Sequence, residues 1–261
     1  MNNDNLNRRM KENYESRSKQ FLTRRTPVII RLDGKAFHTY TRGLDKPFDE
    51  GLIEDMETTT QYLCENIQGV KLGYCQSDEI SLLLTDFDDL QTQAWFDYNV
   101  QKMTSISASM ATAKFNLLRI QRVVSEEMQK YRSYTENVKT SLAFFDSRVF
   151  NIPEEEVSNY FLARQKDAVK NSIAMLAQSL YSHKELHKKN GNEMQELCFQ
   201  KGHNWNDFDY RKKRGCTIKK ELKKFSKEDG TLFVRGKWES VETPMTFNKE
   251  YFEGLLRRKN K

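Results

Sequence analysis

Two apolar runs, Val70 to Cys75 (VKLGYC) and Ile80 to Thr85 (ISLLLT), stand only a few residues apart, with Ser77-Asp78-Glu79 between them. A gap that short leaves a β-hairpin as the natural reading, and it puts the acids at the tip. An earlier run, PVIIRLDG from Pro27, has the composition of a short buried strand that stops at the turn pair Asp33-Gly34. Between these extended segments, Phe48, Leu52, Met56, Tyr62 and Leu63 recur at near-helical spacing over residues 48–68, and Gly69 closes the segment. The order is strand, helix, then a strand pair, a mixture of α and β structure.

The longest helical candidate covers 93–130, with the small residues Ser105, Ser107, Ala108, Ser109, Ala111 and Ala113 in its middle, where they permit close approach to a sheet. SLAFFDSRVFNI (141–152) reads as a further strand. Pro153 then opens a helix whose apolar positions are Val169, Ile173, Leu176, Ala177 and Leu180. Beyond about residue 185 the periodicity weakens, and glycines cut a basic C-terminal third into short pieces, of which TLFVRGKWESV (231–241) has the look of a hairpin.

Charge narrows the function classes. The net charge is +6, carried by three clusters. Residues 8–25 hold seven Lys or Arg against two acids, residues 211–224 hold eight against one, and the chain ends in Arg257, Arg258, Lys259 and Lys261. Any one cluster reads as a solvated face, whereas several together point to a phosphate backbone as partner. No apolar stretch approaches the length of a membrane span, and the opening MNNDNLNRRMKENYESRSKQ carries no apolar core behind its charges. The expectation is a cytoplasmic chain with no membrane contact. Its four cysteines, Cys64, Cys75, Cys198 and Cys216, include no CxxC, and reduced thiols are expected in preference to two disulfides or a structural zinc site.

The candidate chemistry rests on Asp33 at the end of one strand and on Asp78 with Glu79 at the hairpin tip. If the two strands are antiparallel neighbours, their acidic ends meet and form an oxygen-rich site suited to Mg²⁺. A pair of such ions would acidify an attacking hydroxyl and neutralise a triphosphate, and Gly34 would leave its backbone accessible. Each motif alone is equally good turn chemistry, since Asp-Gly and Ser-Asp-Glu are both common in turns and helix starts.

Arg31-Leu32-Asp33-Gly34-Lys35-Ala36-Phe37-His38 taken with Gly73-Tyr74-Cys75-Gln76-Ser77-Asp78-Glu79-Ile80-Ser81 closely resembles the paired signatures of the tRNA-histidine guanylyltransferase superfamily. The likeness continues through Lys46-Pro47, the long helix with Lys102, and Phe145-Asp146-Ser147-Arg148-Val149, over roughly residues 5–180. The resemblance implies an α+β fold with a palm-like, ferredoxin-like antiparallel sheet packed with long helices, plus a basic, helical or irregular C-terminal part. It implies a palm-like catalytic region over 1–150 and a basic RNA-contacting region over 151–261, together one compact unit. By the same resemblance Asp33 and Asp78, helped by the Gly34 carbonyl, would hold two Mg²⁺ ions, and Glu79 would support the site. Asp33, Gly34, Lys35, Ala36, Phe37, His38, Ser77 and Asp78 match nucleoside-triphosphate-binding segments, and Lys46 and Lys102 match positions that contact the triphosphate. On chemistry alone Phe37 and His38 suit structural roles, and the two lysines could equally be surface residues.

One departure separates branches of that superfamily. Members that add the extra guanylate to histidine tRNA carry His-Ile-Asn-Asn-Leu-Tyr-Asn, where this chain has Val169-Lys170-Asn171-Ser172-Ile173-Ala174-Met175. The histidine is replaced by Val169, and the departure resembles the repair branch, which completes truncated tRNA 5′ ends by template pairing. The implied function is a 3′-to-5′ nucleotidyltransferase acting on tRNA, with ATP and GTP as substrates and a tetramer as the assembly. A palm-fold nucleotidyl cyclase, a silent RNA-binding protein and obligatory guanylate addition are the competing readings.

Overall fold

The computed structural model describes residues 3–129, 142–226 and 232–257. Among these, six strands form one antiparallel sheet in the order β4-β1-β3-β2-β5-β6. The strands are β1 (Val28–Gly34), β2 (Val70–Gln76), β3 (Glu79–Leu84), β4 (Phe145–Asn151), β5 (Cys216–Ser226) and β6 (Leu232–Val241). The helices are α1 (Asn3–Asn13), α2 (Phe37–Tyr40), α3 (Glu50–Asn66), α4 (Val100–Gln129), α5 (Glu154–Leu180), α6 (His183–Leu186), α7 (Gly191–Gln200), α8 (Tyr210–Arg214) and α9 (Lys249–Leu256). With α3 between β1 and β2, and α4 between β3 and β4, the first four strands make the β-α-β-β-α-β unit in the order 4-1-3-2, the ferredoxin-like arrangement.

Both faces of this sheet are covered, which is why its central strands read as unbroken apolar runs. Val28, Ile30, Leu32, Ile80, Leu82 and Leu84 pack under α3 and α4 against Met56, Leu63, Met103 and Phe115. Ile29, Leu72, Tyr74 and Leu83 face the other way, onto Val157 and Phe161 of α5 and onto Phe247 and Phe252. Between α3 and α4, the buried Asp55 carboxylate is held by Arg119 at 3.0 Å and Arg122 at 2.8 Å. Of the small residues in α4, Ser107 and Ala111 are fully buried, and Ser107 Oγ lies 2.8 Å from Ser147 Oγ of β4. Ser105, Ser109 and Ala113 instead face outward.

The C-terminal third departs most from expectation. β5 joins the sheet through Gly73–Cys75 of β2, so the sheet continues past residue 151. The segment expected to be a hairpin runs from Leu232 through Gly236 to Val241 as one strand along β5; Thr231 lies outside the described residues. Gly236 is no turn. It faces Leu222, and a Cβ there would stand 2.4 Å from the Lys220 side chain. All four cysteines are buried and unbridged, with Cys75 directly across from Cys216. Among the described residues, no helix is long and apolar enough to cross a membrane.

Candidate active site

The β1–β3 register sets Asp33 directly opposite Glu79, and Gly34 N–H donates to the Asp78 carbonyl at 3.1 Å. The two acidic strand ends, forty-five positions apart in sequence, therefore meet as anticipated. Ser77 and Asp78 form the two-residue turn of the β2–β3 hairpin, with Ser77 at φ +50°. Ala36, two residues beyond Gly34, is also left-handed at φ +54° and starts α2. Neither is glycine, so each turn holds a conformation that its side chain resists. Gly34 has a steric reason to be glycine: a Cβ there would lie 2.3 Å from the Phe37 ring, which is buried against Tyr40, Phe115 and Phe145. Gly34→Ala is expected to overpack this cluster and lower stability by about 1–3 kcal/mol, read from a urea midpoint.

The electrostatics favour an added cation. Burial lifts the Asp78 carboxyl above the ordinary aspartate range, and the neighbouring Asp33 charge adds to the lift, against hydrogen bonds from its own backbone N–H and from Ser77. Asp33 has Arg31 at 4.0 Å. Glu79 is engaged differently. Its Oε2 accepts from Arg31 at 2.6 Å and from Arg164 of α5 at 3.4 Å, while its Oε1 and Arg31 Nε are buried without partners. Burial pushes the Glu79 carboxyl upward, and the two arginines pull it back. Asp33 and Asp78 thus form a hard-oxygen pair whose mutual repulsion a divalent ion would relieve, and their chemistry fits Mg²⁺. Among the described residues no group of three or more His, Cys, Asp and Glu converges as a metal cage, so the remaining positions would fall to water or substrate oxygens.

Beside these carboxylates opens a cavity of about 640 Å³. Its walls come from Gly34, Ala36 and residues between Phe37 and Leu52, though not Lys35, from the hairpin residues Ser77 and Asp78, and from Met175, Gln178 and Ser179 of α5. Lys46 and His38 line it as well. His38 is exposed and lies 3.1 Å from Thr39 Oγ1, so it is a wall residue and not the packed or capping one expected. Phe37 is core, as its chemistry anticipated. Lys35 is exposed, with its backbone N–H donating to the Phe144 carbonyl. Lys102 is placed elsewhere: it sits on the first turn of α4 with its ammonium 5.7 Å from the Phe96 ring centroid, toward the Val28 end of the sheet.

Sequence reasoning missed the Arg31–Glu79–Arg164 cluster and the α5 wall. The wall had a usable signal, because Met175 ends the segment already singled out at Val169. Ser172 of that segment accepts from Trp205 Nε1 at 3.0 Å and donates to the Lys213 carbonyl, anchoring α8. As a result Arg211 and Lys212 line a smaller recess with Gln76, Ser77 and Asn171.

A ferredoxin-like sheet that brings paired carboxylates to adjacent strand ends beside a large polar cavity is the palm-like scaffold of a nucleotidyltransferase. Residues 7–153 match the family model described as Thg1, tRNAHis guanylyltransferase, and the chain belongs to that family. It is similar to a bacterial tRNA(His) guanylyltransferase (Thg1)-like protein solved in complex with ATP, at 43% identity and TM-score 0.81, covering 96% of this chain and 99% of that one. A structure of the same description in complex with GTP matches at TM-score 0.77 and 43% identity, over 97% of this chain and 99% of that one. A probable tRNA(His) guanylyltransferase of Dictyostelium discoideum is 26% identical over 149 residues, 56% of this chain and 52% of that protein, so the chain spans about half of that relative.

Proposed function

We propose that the chain is a 3′-to-5′ nucleotidyltransferase that adds nucleotides to the 5′ end of truncated tRNA. The observation that carries this reading is the meeting of Asp33 and Asp78 beside the cavity walled by Lys46 and α5. The ATP and GTP complexes of its 43%-identical relatives support nucleoside triphosphates as its substrates. In the first step a phosphate oxygen of the RNA 5′-monophosphate attacks the α-phosphorus of ATP, and pyrophosphate leaves. In the second, the 3′-hydroxyl of an incoming nucleotide attacks the activated 5′ phosphorus, AMP leaves, and the hydroxyl proton passes to solvent.

Asp33, Asp78 and the Gly34 carbonyl would hold Mg²⁺, as two ions. Bound there, the metal supplies charge neutralisation at phosphate oxygens and acidifies the hydroxyl. Lys46 would contribute a positive charge to the phosphates, and backbone N–H groups around Ala36 and Ser77 would donate to them. Glu79, tied to Arg31 and Arg164, keeps the strand ends in register and supports the site. Val169 in place of the superfamily's histidine favours template pairing over obligatory guanylate addition. The basic segments hold tRNA by phosphate contacts, so binding should weaken steeply as salt rises. A homo-tetramer is the proposed assembly and the cytoplasm the proposed compartment.

Extension of a transcript lacking its first 5′ nucleotide, with each nucleoside triphosphate omitted in turn, tests the reading. Incorporation dictated by the opposite strand is expected. Guanylate added whatever the template says would overturn the repair assignment, and a cyclic product from GTP alone would favour a cyclase.

A further inference from the structure

The outer stripe of α4 carries no charge over its middle. Between Lys102 and Gln121 the exposed residues are Ser105, Ile106, Ser109, Ala113, Leu117 and Ile120. Ile106, Leu117 and Ile120 are 40%, 50% and 49% exposed. The two charged residues of that span both turn toward α3: Lys114 lies 5.6 Å from the Tyr62 ring centroid, and Arg119 holds the buried Asp55. A surface helix ordinarily sends its charges outward, and 31% of this chain is charged. Large apolar side chains left exposed where charge is absent have the composition of an interface core.

The stripe is also symmetric about Ala113. Ile106 and Ile120 stand seven positions to either side of it, and Ser109 and Leu117 stand four. Laid antiparallel on a second copy about a two-fold axis at Ala113, Ile106 meets Ile120 of the partner subunit, and Ser109 receives Leu117 of the partner subunit. Ala113 falls on the axis, where the two backbones come closest and a small side chain is needed. The seven-residue spacing keeps the isoleucines on the seam of a shallow, left-handed crossing. A surface that complements its own reverse is what a two-fold contact requires.

Charge and area both point to a second copy as the occupant. A phosphate backbone seeks cations, and the stripe offers none, whereas another copy brings an equally uncharged surface. Residues 100–126 can overlap their copy about this axis over about 40 Å, and a strip about 10 Å wide covers about 400 Å² on each partner. The helix alone thus falls slightly short of the roughly 1,000 Å² of a stable interface. Leu142 and Phe144, 54% and 53% exposed, widen the apolar surface, because Asn116 of α4 bonds the backbone of Ala143 between them. The nucleotide cavity is walled by α5, which packs on the opposite face of the sheet from α4, so this pairing leaves both cavities open.

We propose that α4 is a self-association face, on which two copies of the chain pair antiparallel about Ala113. The inference adds to the proposed assembly one of the faces on which it is built.

Cysteines placed on the stripe report its register, because all four native cysteines are buried. Under mild oxidation with diamide, full-length Ala113→Cys should form a disulfide-linked dimer. Ser105→Cys should not link to itself, since its two copies would stand about 24 Å apart along the helices, but mixed with Gln121→Cys it should give the mixed dimer. By light scattering the unsubstituted protein should contain an even number of chains. Leu117→Glu should weaken self-association about a hundredfold or more and halve that mass, with its circular dichroism unchanged. Should that variant lose its fold, the cysteine pairs carry the test. A monomeric parent, a mass unaltered in folded Leu117→Glu, or Ser105→Cys linking to itself as readily as Ala113→Cys would each overturn the proposal. A dimer linked through Ala113→Cys that extends no transcript would keep this interface and sink the proposed reaction, and a monomer that extends one would do the reverse.

Discussion

Asp33→Ala and Asp78→Ala are each expected to reduce 5′ extension of a truncated transcript by at least about a hundred- to a thousandfold, the scale on which removal of one preorganised charge-stabilising group is felt. Both side chains reach solvent in part, so neither change should unfold the protein. Thermal melting then provides a control with a definite sign. The Asp78 carboxyl is raised in the folded chain, chiefly by burial and further by Asp33. Stability that comes from its protonated form is present at acid pH and is lost as pH rises through the raised value. Asp78→Asn removes that loss, and the metal-free protein should melt at a higher temperature than the parent near neutral pH while extending nothing. Undiminished extension by Asp33→Ala would refute the carboxylate assignment, and a lower melting point for Asp78→Asn would refute the electrostatic one.

The second large effect belongs to Glu79. Replacing it with Ala takes from Arg31, about one-quarter exposed, its buried partner, while Arg164 keeps Asp167 at 2.8 Å, and a loss of about 3 kcal/mol is expected from chemical denaturation. Activity should fall as well, by about tenfold or more, because Arg31 is then free to close the 4.0 Å gap to Asp33 and neutralise it. Glu79→Gln keeps the shape and one acceptor, so it should recover much of the stability and less of the extension. Equal recovery of both would mean that Glu79 serves only the fold.

The βαββαβ core was legible because its central strands are buried on both faces and its hairpin loop is short. The two-residue turn at Ser77-Asp78 starts β3 at Glu79, and the antiparallel β1–β3 pairing then sets Asp33 against it. β5 and β6 were not legible in the same way. Lysines and glutamates fall on both sides of that ribbon, Leu222 and Val234 stay exposed, and alternation is lost. Lys102 shows a different limit: helical phase identifies the exposed face of α4 but not which end of the sheet that turn reaches. Both stretches stood out in the sequence, but that Asp33 faces Asp146 and Arg31 faces Arg148 emerges only once β1 and β4 are set in register. The C-terminal cluster from Arg258 onward lies outside the described residues.

Ala36 and Ser77 bear on how this chain would respond to selection for heat tolerance. Each occupies backbone space that glycine adopts at no steric cost, and each adjoins the carboxylates proposed to hold the metal. Ser77→Gly and Ala36→Gly relieve that steric cost but also widen the choices of the unfolded chain and of the loop itself, so any gain in melting temperature is bounded. Hardier variants of this scaffold are therefore better sought on the outer face of α7, with these two strained turns left alone as the part of the molecule whose stiffness the proposed chemistry would use.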